Sequence, residues 1–183
     1  MRRKWIAAAA AALIAAGLVC GCANPQKAGV AALEEGNYEE AETQFKELAE
    51  SGDDNAAEGY RGLGMVYYET GDFQAALEAF EKAAESGLQP GIQTYNLMAV
   101  CAMQTEQYGP ALEYIRSGLV LADTASKDEQ PSDELIREMK FNEIICCERQ
   151  ADWTGAKQKV REYLEAYPDD EAAQREAEFL ATR

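Results

Sequence analysis

The chain has 183 residues, with 17 Lys and Arg against 33 Asp and Glu, and no histidine. The absence of histidine excludes His-based triads and proton relays and removes the commonest metal ligand. The acidic balance argues against nucleic-acid binding, which runs on cationic contacts to phosphate. There is no Gly-rich phosphate loop and no identifiable carboxylate pair, so the expectation is a non-catalytic protein without cofactor or metal.

The chain opens on Met1-Arg2-Arg3-Lys4, followed by an apolar run from Trp5 to Val19. That run is shorter than the roughly 20 residues needed to span a bilayer, and it has the proportions of a secretory signal. It ends in Val19-Cys20-Gly21-Cys22, which resembles a bacterial lipobox: an aliphatic residue three before the Cys and Gly directly before it. Cys20 lacks a small residue before it, so the resemblance implies cleavage after Gly21 and diacylglycerol on the Cys22 sulfur. An ordinary cleaved signal, with Cys22 incidental, is the plainer alternative. The expected layout is a signal peptide over 1–21 and a lipidated tether over 22–26. Two or more acyl chains anchor stably where one does not. Ala23 replaces the Asp that, in similar lipoproteins, favours inner-membrane retention. The resemblance thus implies the outer membrane of a two-membraned bacterium, or the outer face of a single cell membrane. Without residues 1–21 the chain carries 14 basic and 33 acidic residues. Such a charge steers basic partners toward it and repels anionic lipid.

After the tether a pattern recurs. Tyr38, Ala41 and Phe45 return as Phe73, Ala76 and Phe80, then as Tyr108, Ala111 and Ile115, and after a longer gap as Trp153, Ala156 and Val160. An aromatic, Ala three residues on and a bulky apolar residue four further lie on one helical stripe. The Ala marks where a facing helix comes too close for anything larger. Asn37, Asp72 and Asp152 stand where a helix N-cap is needed, with Gln107 a poor substitute; Asn37 and Glu40 have capping-box spacing. Gly36 and Gly71 suit the left-handed position that closes a helix. A preceding set of helices carries Tyr60, Leu63, Gly64 and Tyr67, echoed by Tyr95, Met98, Ala99 and Ala102.

These residues resemble the tetratricopeptide repeat. The resemblance implies an all-α, right-handed solenoid of antiparallel helix pairs over 27–170, in three to four units at about 27–53, 57–90, 92–123 and 134–168. The second unit matches nearly throughout. The third has Glu106 at the turn Gly, and the fourth has Lys140 and Ile144 for its aromatic and small residue. A polar insert, 124–133, separates the last two units and reads as a surface loop or, alternatively, a partner contact. Glu171–Arg183 reads as a capping helix with Ala172, Ala173, Ala177, Phe179 and Leu180 facing the last pair. Cys101, Cys146 and Cys147 read as small core residues, with a Cys101–Cys146 disulfide the alternative permitted by export.

In this family the first helices line a concave groove. Carried over by position, the groove presents Arg61, Met65, Tyr68 and Glu69, then Gln93, Asn96, Val100 and Met103, then Phe141, Ile145 and Arg149. Of these, Arg61, Met65, Tyr68, Asn96, Val100, Met103, Phe141 and Arg149 are the candidate partner-binding residues. Only Asn96 and Arg61 fit the family's clamp for acidic C-termini. The expected function is an exported, lipid-anchored adaptor that holds a peptide or helix segment of another envelope protein. Binding of a small ligand or cell-wall fragment is the alternative.

Overall fold

The computed structural model describes residues 24–52, 55–126 and 129–183; the signal segment and Cys22 lie outside the described residues. Among the described residues the structure is all helical. The helices are α1 (Pro25–Glu34), α2 (Tyr38–Glu50), α3 (Ala56–Thr70), α4 (Phe73–Glu85), α5 (Ile92–Gln104), α6 (Tyr108–Thr124), α7 (Asp133–Arg149), α8 (Trp153–Ala166) and α9 (Glu171–Ala181). Each packs chiefly on its neighbours in sequence, as a solenoid requires.

The four hairpin turns are built alike. At each, two backbone bonds run back across the helix end: Asn37 to Ala32, Asp72 to Tyr67, Gln107 to Ala102 and Asp152 to Cys147, at 2.7–2.9 Å, enclose a bond of shorter sequence span from the residue before, at 2.8–3.1 Å. That enclosed residue is left-handed in every case: Gly36 (φ 73°), Gly71 (φ 80°), Glu106 (φ 60°) and Ala151 (φ 58°). The hydrogen-bond register thus dictates the conformation even where glycine is missing. Asn37, Asp72 and Asp152 then cap α2, α4 and α8 through their side chains, whereas Gln107 makes no cap to α6. The expected capping box at Asn37 is half formed. The Asn37 N–H is already committed to Ala32, and the Glu40 carboxylate turns to Gln44 instead.

Ala41, Ala76, Ala111 and Ala156 are all at 0 % exposure, each at a helix crossing. Aromatic rings fill the space beside them by lying on glycine backbones. Phe45 sits over Gly29 and Gly62, and Phe80 over Gly64, where an added Cβ would meet the ring at 2.6 Å. Three apolar clusters follow one another along the stack. The fourth unit keeps phase with different residues. Met139 reaches the backbone of Gly118 on α6, and Ile144 is fully buried.

Longer side chains stitch neighbouring helices, and Tyr114 with Glu81 joins two second helices. The Tyr67 hydroxyl donates to Glu42 at 2.9 Å, and that of Tyr114 to Glu81 at 2.7 Å. The buried Glu143 carboxylate on α7 joins Lys159 of α8 at 3.1 Å and Arg116 of α6 at 3.4 Å. Among the first helices, by contrast, α1 packs on α3 and α5 on α7. The first helices are therefore the inner side of the curve.

The cap helix docks through Ala173, Ala177 and Leu180, spaced four and three apart. Ala172 and Phe179 were expected on that face and are not on it. Each lies one residue, about 100° of helix rotation, off the stripe. Ala172 is exposed, and Phe179 is 41 % exposed beneath the Arg183 guanidinium. Cys101, Cys146 and Cys147 are free and buried, so the alternative Cys101–Cys146 disulfide is not formed. Burial pushes the Cys101 and Cys146 thiols up to about 12, which leaves them unreactive core groups.

Candidate partner-binding groove

The wall formed by α3, α5 and α7 repeats a spacing of four and three. Arg61, Met65 and Tyr68 come from α3; Asn96, Val100 and Met103 from α5; Phe141 and Ile145 from α7. The structure treats these residues unequally. Met65 is the open apolar group, at 36 % exposure. Val100 and Met103 are half-buried, and Met103 leans on the central cluster. Tyr68 is also half-buried, set edge-on to Phe73 with ring centres 5.8 Å apart. Burial raises the Tyr68 phenol first, and the nearby Cys101, Glu138 and Glu69 raise it further.

Asn96 is only 7 % exposed. Its amide N–H donates to a Glu138 oxygen of α7 at 3.2 Å, and its Oδ1 has no hydrogen-bond partner. The carboxylate can only accept, so the orientation of the Asn96 amide is set by Glu138. Phe141 packs edge-on against Tyr163 at 5.7 Å. The two cationic candidates are engaged locally: Arg61 with Glu58 at 2.6 Å, and Arg149 over the Tyr108 ring at 6.0 Å.

Two hollows border the helices of this wall. One, of about 570 Å³, is framed by Arg61, Ile92, Gln93 and Leu135 together with Gln130 and Pro131. The segment between α6 and α7 therefore forms one end of the groove. It is held there by Gln130, whose amide donates to the Ala125 carbonyl at 2.8 Å and to that of Ala122 at 3.3 Å, closing the end of α6. The second hollow, of about 360 Å³, lies on the far side of α7, between Glu134, Arg137, Glu138 and Phe141 of that helix and Tyr163, Asp170 and Ala172. A larger cavity of about 770 Å³ sits away from the groove, between α6, α7 and α8.

Sequence reasoning missed Glu134 and Glu138, and it offered the 124–133 insert as a partner contact without placing Gln130. The two glutamates were legible, since Glu134, Glu138, Phe141 and Ile145 share one stripe of α7. The position of Gln130 was not, because no repeat pattern covers an insert. Among the described residues, no group of three or more His, Cys, Asp or Glu is placed to hold a metal ion. No described helix is long and apolar enough to cross a membrane.

Residues 27–91 match the family model described as Tetratricopeptide repeat. No curated protein matches the chain. Among solved structures it is similar to YrrB, described as a TPR protein with an unusual peptide-binding site: TM-score 0.70, 20 % identity, 84 % of this chain and 73 % of that one. A double mutant of MamA RS-1 aligns with TM-score 0.69 at 15 % identity, over 89 % of this chain and 86 % of that one. The N-terminal domain of stress-induced protein-1 from C. elegans aligns with TM-score 0.56 at 20 % identity, over 70 % of this chain and 96 % of that one.

Proposed function

We propose that this chain, whose described residues fold as a tetratricopeptide-repeat solenoid, is a non-catalytic adaptor that holds a segment of a partner protein in the groove of its first helices. The observation that carries this reading is the strip of Met65, Tyr68, Val100 and Met103 on the inner wall. It is apolar, only half covered, and a hollow framed by Arg61, Ile92, Gln93 and Leu135 opens on the same helices. Met adapts to varied side-chain shapes, which suits a surface that receives a peptide. The likeness to YrrB, itself described as having a peptide-binding site, supports the same reading.

The second half of the proposal is the tether. Val19-Cys20-Gly21-Cys22 supports export and lipidation at Cys22, which would hold the solenoid against a bacterial membrane with its groove free for envelope proteins. Mass spectrometry of the mature N-terminus tests this half: a diacylglyceryl-modified Cys22 is expected, and an unmodified terminus removes the anchor. Photo-crosslinkers placed at Met65 and Val100, with Glu78 on α4 as the control, test the groove in native envelopes. Adducts from the two groove positions alone are expected; adducts only from position 78 would overturn the reading.

A further inference from the structure

The groove described above carries a charge pattern that narrows what it can hold, and the inference rests on that groove being the binding face. α5, its middle wall, has no charged residue at all. The cations of the flanking helices are all turned to other tasks. Arg61 is paired with Glu58, Arg137 with Asp170, Arg149 lies over Tyr108, and Lys140 lines the separate cavity between α6, α7 and α8. The acids form no such ion pairs, although Glu138 accepts from Asn96. Among the described residues no Lys or Arg forms an ion pair with Glu69, Glu134 or Glu138, and all three are exposed.

Asn96 gives a second, independent sign. It is more than nine-tenths buried, its Nδ2 already donates to Glu138, and its Oδ1 is enclosed, so it has no free donor to offer an acidic ligand. The charged groups left without an ion pair on α3, α5 and α7 here are therefore carboxylates. A donor-rich ligand fits them, and an acidic one does not.

We propose that the occupant is a basic, partly apolar segment of a partner protein, with Lys or Arg heads at Glu69 and Glu138 and its apolar side chains on Met65, Val100 and Met103. Charge-assisted hydrogen bonds to the two carboxylates would supply orientation as well as attraction. Such a segment is the opposite of the acidic C-terminus that a Lys- and Arg-lined groove would select.

The test uses the full chain in nonionic detergent and fluorescence anisotropy of a labelled Ser/Thr peptide bearing Lys and Val side chains, beside a matched peptide with Glu in place of Lys. The Lys peptide is expected to bind and the Glu peptide not. The double variant Glu69→Gln/Glu138→Gln should weaken the Lys peptide about tenfold, whereas Glu47→Gln/Glu78→Gln, an equal charge change on the second helices, should shift it less than about twofold. Circular dichroism confirms that both variants fold. Equal losses in the two variants would reduce the effect to general attraction by an acidic protein and overturn the proposal. Preference for the Glu peptide would overturn it too, while leaving the groove reading intact if Met65→Ala/Met103→Ala weakens that binding. Binding of either peptide that ignores Met65→Ala/Met103→Ala would instead sink the groove reading, and this proposal with it.

Discussion

Arg137 of α7 and Asp170, the N-cap of α9, meet at 2.6 Å, and the same carboxylate oxygen accepts the Tyr163 hydroxyl at 2.7 Å. The other oxygen of Asp170 receives the backbone N–H groups of Ala172 and Ala173. One side chain thus starts the cap helix and ties it to both helices of the last pair. Hydrogen bonds from Tyr163 first, then Arg137, hold the Asp170 carboxyl well below its ordinary range. Its contribution is therefore complete above the unfolded value near 4 and is lost as pH falls through the folded one. Asp170→Ala should lower stability by about 1 kcal/mol, a typical loss for an N-cap, and speed amide exchange across α9. Asp170→Asn keeps the cap but not the charge, and should fall between Ala and wild type. Protection of α9 unchanged in Asp170→Ala would refute the role.

Glu148 produces the opposite slope at the same junction. Burial, and then the Glu176 carboxyl of α9, push it up to about 7, with Arg149 pulling weakly the other way. One of its oxygens is buried without a partner. Between the unfolded value of about 4.5 and the folded one, the native state binds more protons than the unfolded chain. Stability from this group therefore falls as pH rises across that window. Glu148→Gln should match wild type near pH 4 and exceed it at pH 8, by about 1 kcal/mol once screening by water is allowed for. Urea melts across this range would show the two curves diverging upward in pH; parallel curves would refute the pairing.

Both pairings were invisible in the sequence, and the reason is physical. Periodicity reports which face of a helix is apolar, so the four buried alanines and the aromatic stripe could be read directly. Polar pairs such as Arg137 with Asp170, 33 residues apart, follow no period and exist only once the helices have stacked. Asn96 shows the same limit. Its place on the inner stripe of α5 was legible, but its hydrogen bond to Glu138, 42 residues away on α7, was not. The candidate groove could therefore be drawn as a set of positions. Which of those side chains stay open was decided by neighbours the repeat does not specify.

The left-handed turns allow a gain in stability. Glu106 and Ala151 adopt φ of 60° and 58° at positions where the first two units use glycine. A non-glycine residue there is strained by about 1 kcal/mol, partly offset by the greater chain entropy that glycine loses on folding. Glu106→Gly and Ala151→Gly should each stabilise by about 0.5 kcal/mol, and together by about the sum because they lie in separate turns. Changing Gly71, at φ 80°, to Ala should cost about 1 kcal/mol. Chemical denaturation of the three variants decides the matter, and a loss on Glu106→Gly would mean that its side chain contributes more than its backbone conformation costs.

The alanine at each crossing makes the sharpest demand on the packing. Ala76 and Ala111 are at 0 % exposure within the central cluster, beside Phe80, Met98, Ala99, Ala102 and Ile115. Each faces a neighbouring helix close enough that the side chain has nowhere to turn. Leucine at either position must separate the helices or force its neighbours off their rotamers, at about 1–3 kcal/mol. Ala31→Leu, on the exposed side of α1, is the matched control and should stay within about 0.5 kcal/mol. If urea melts show Ala76→Leu and Ala111→Leu as mild as Ala31→Leu, helices α3 to α6 have slack, and close packing is not what fixes the spacing of the groove wall. If the losses appear as expected, the distance between α3 and α5 is set from behind by these methyl-sized contacts. The spacing of Glu69 and Glu138 across the groove is then a consequence of core packing as much as of the residues themselves.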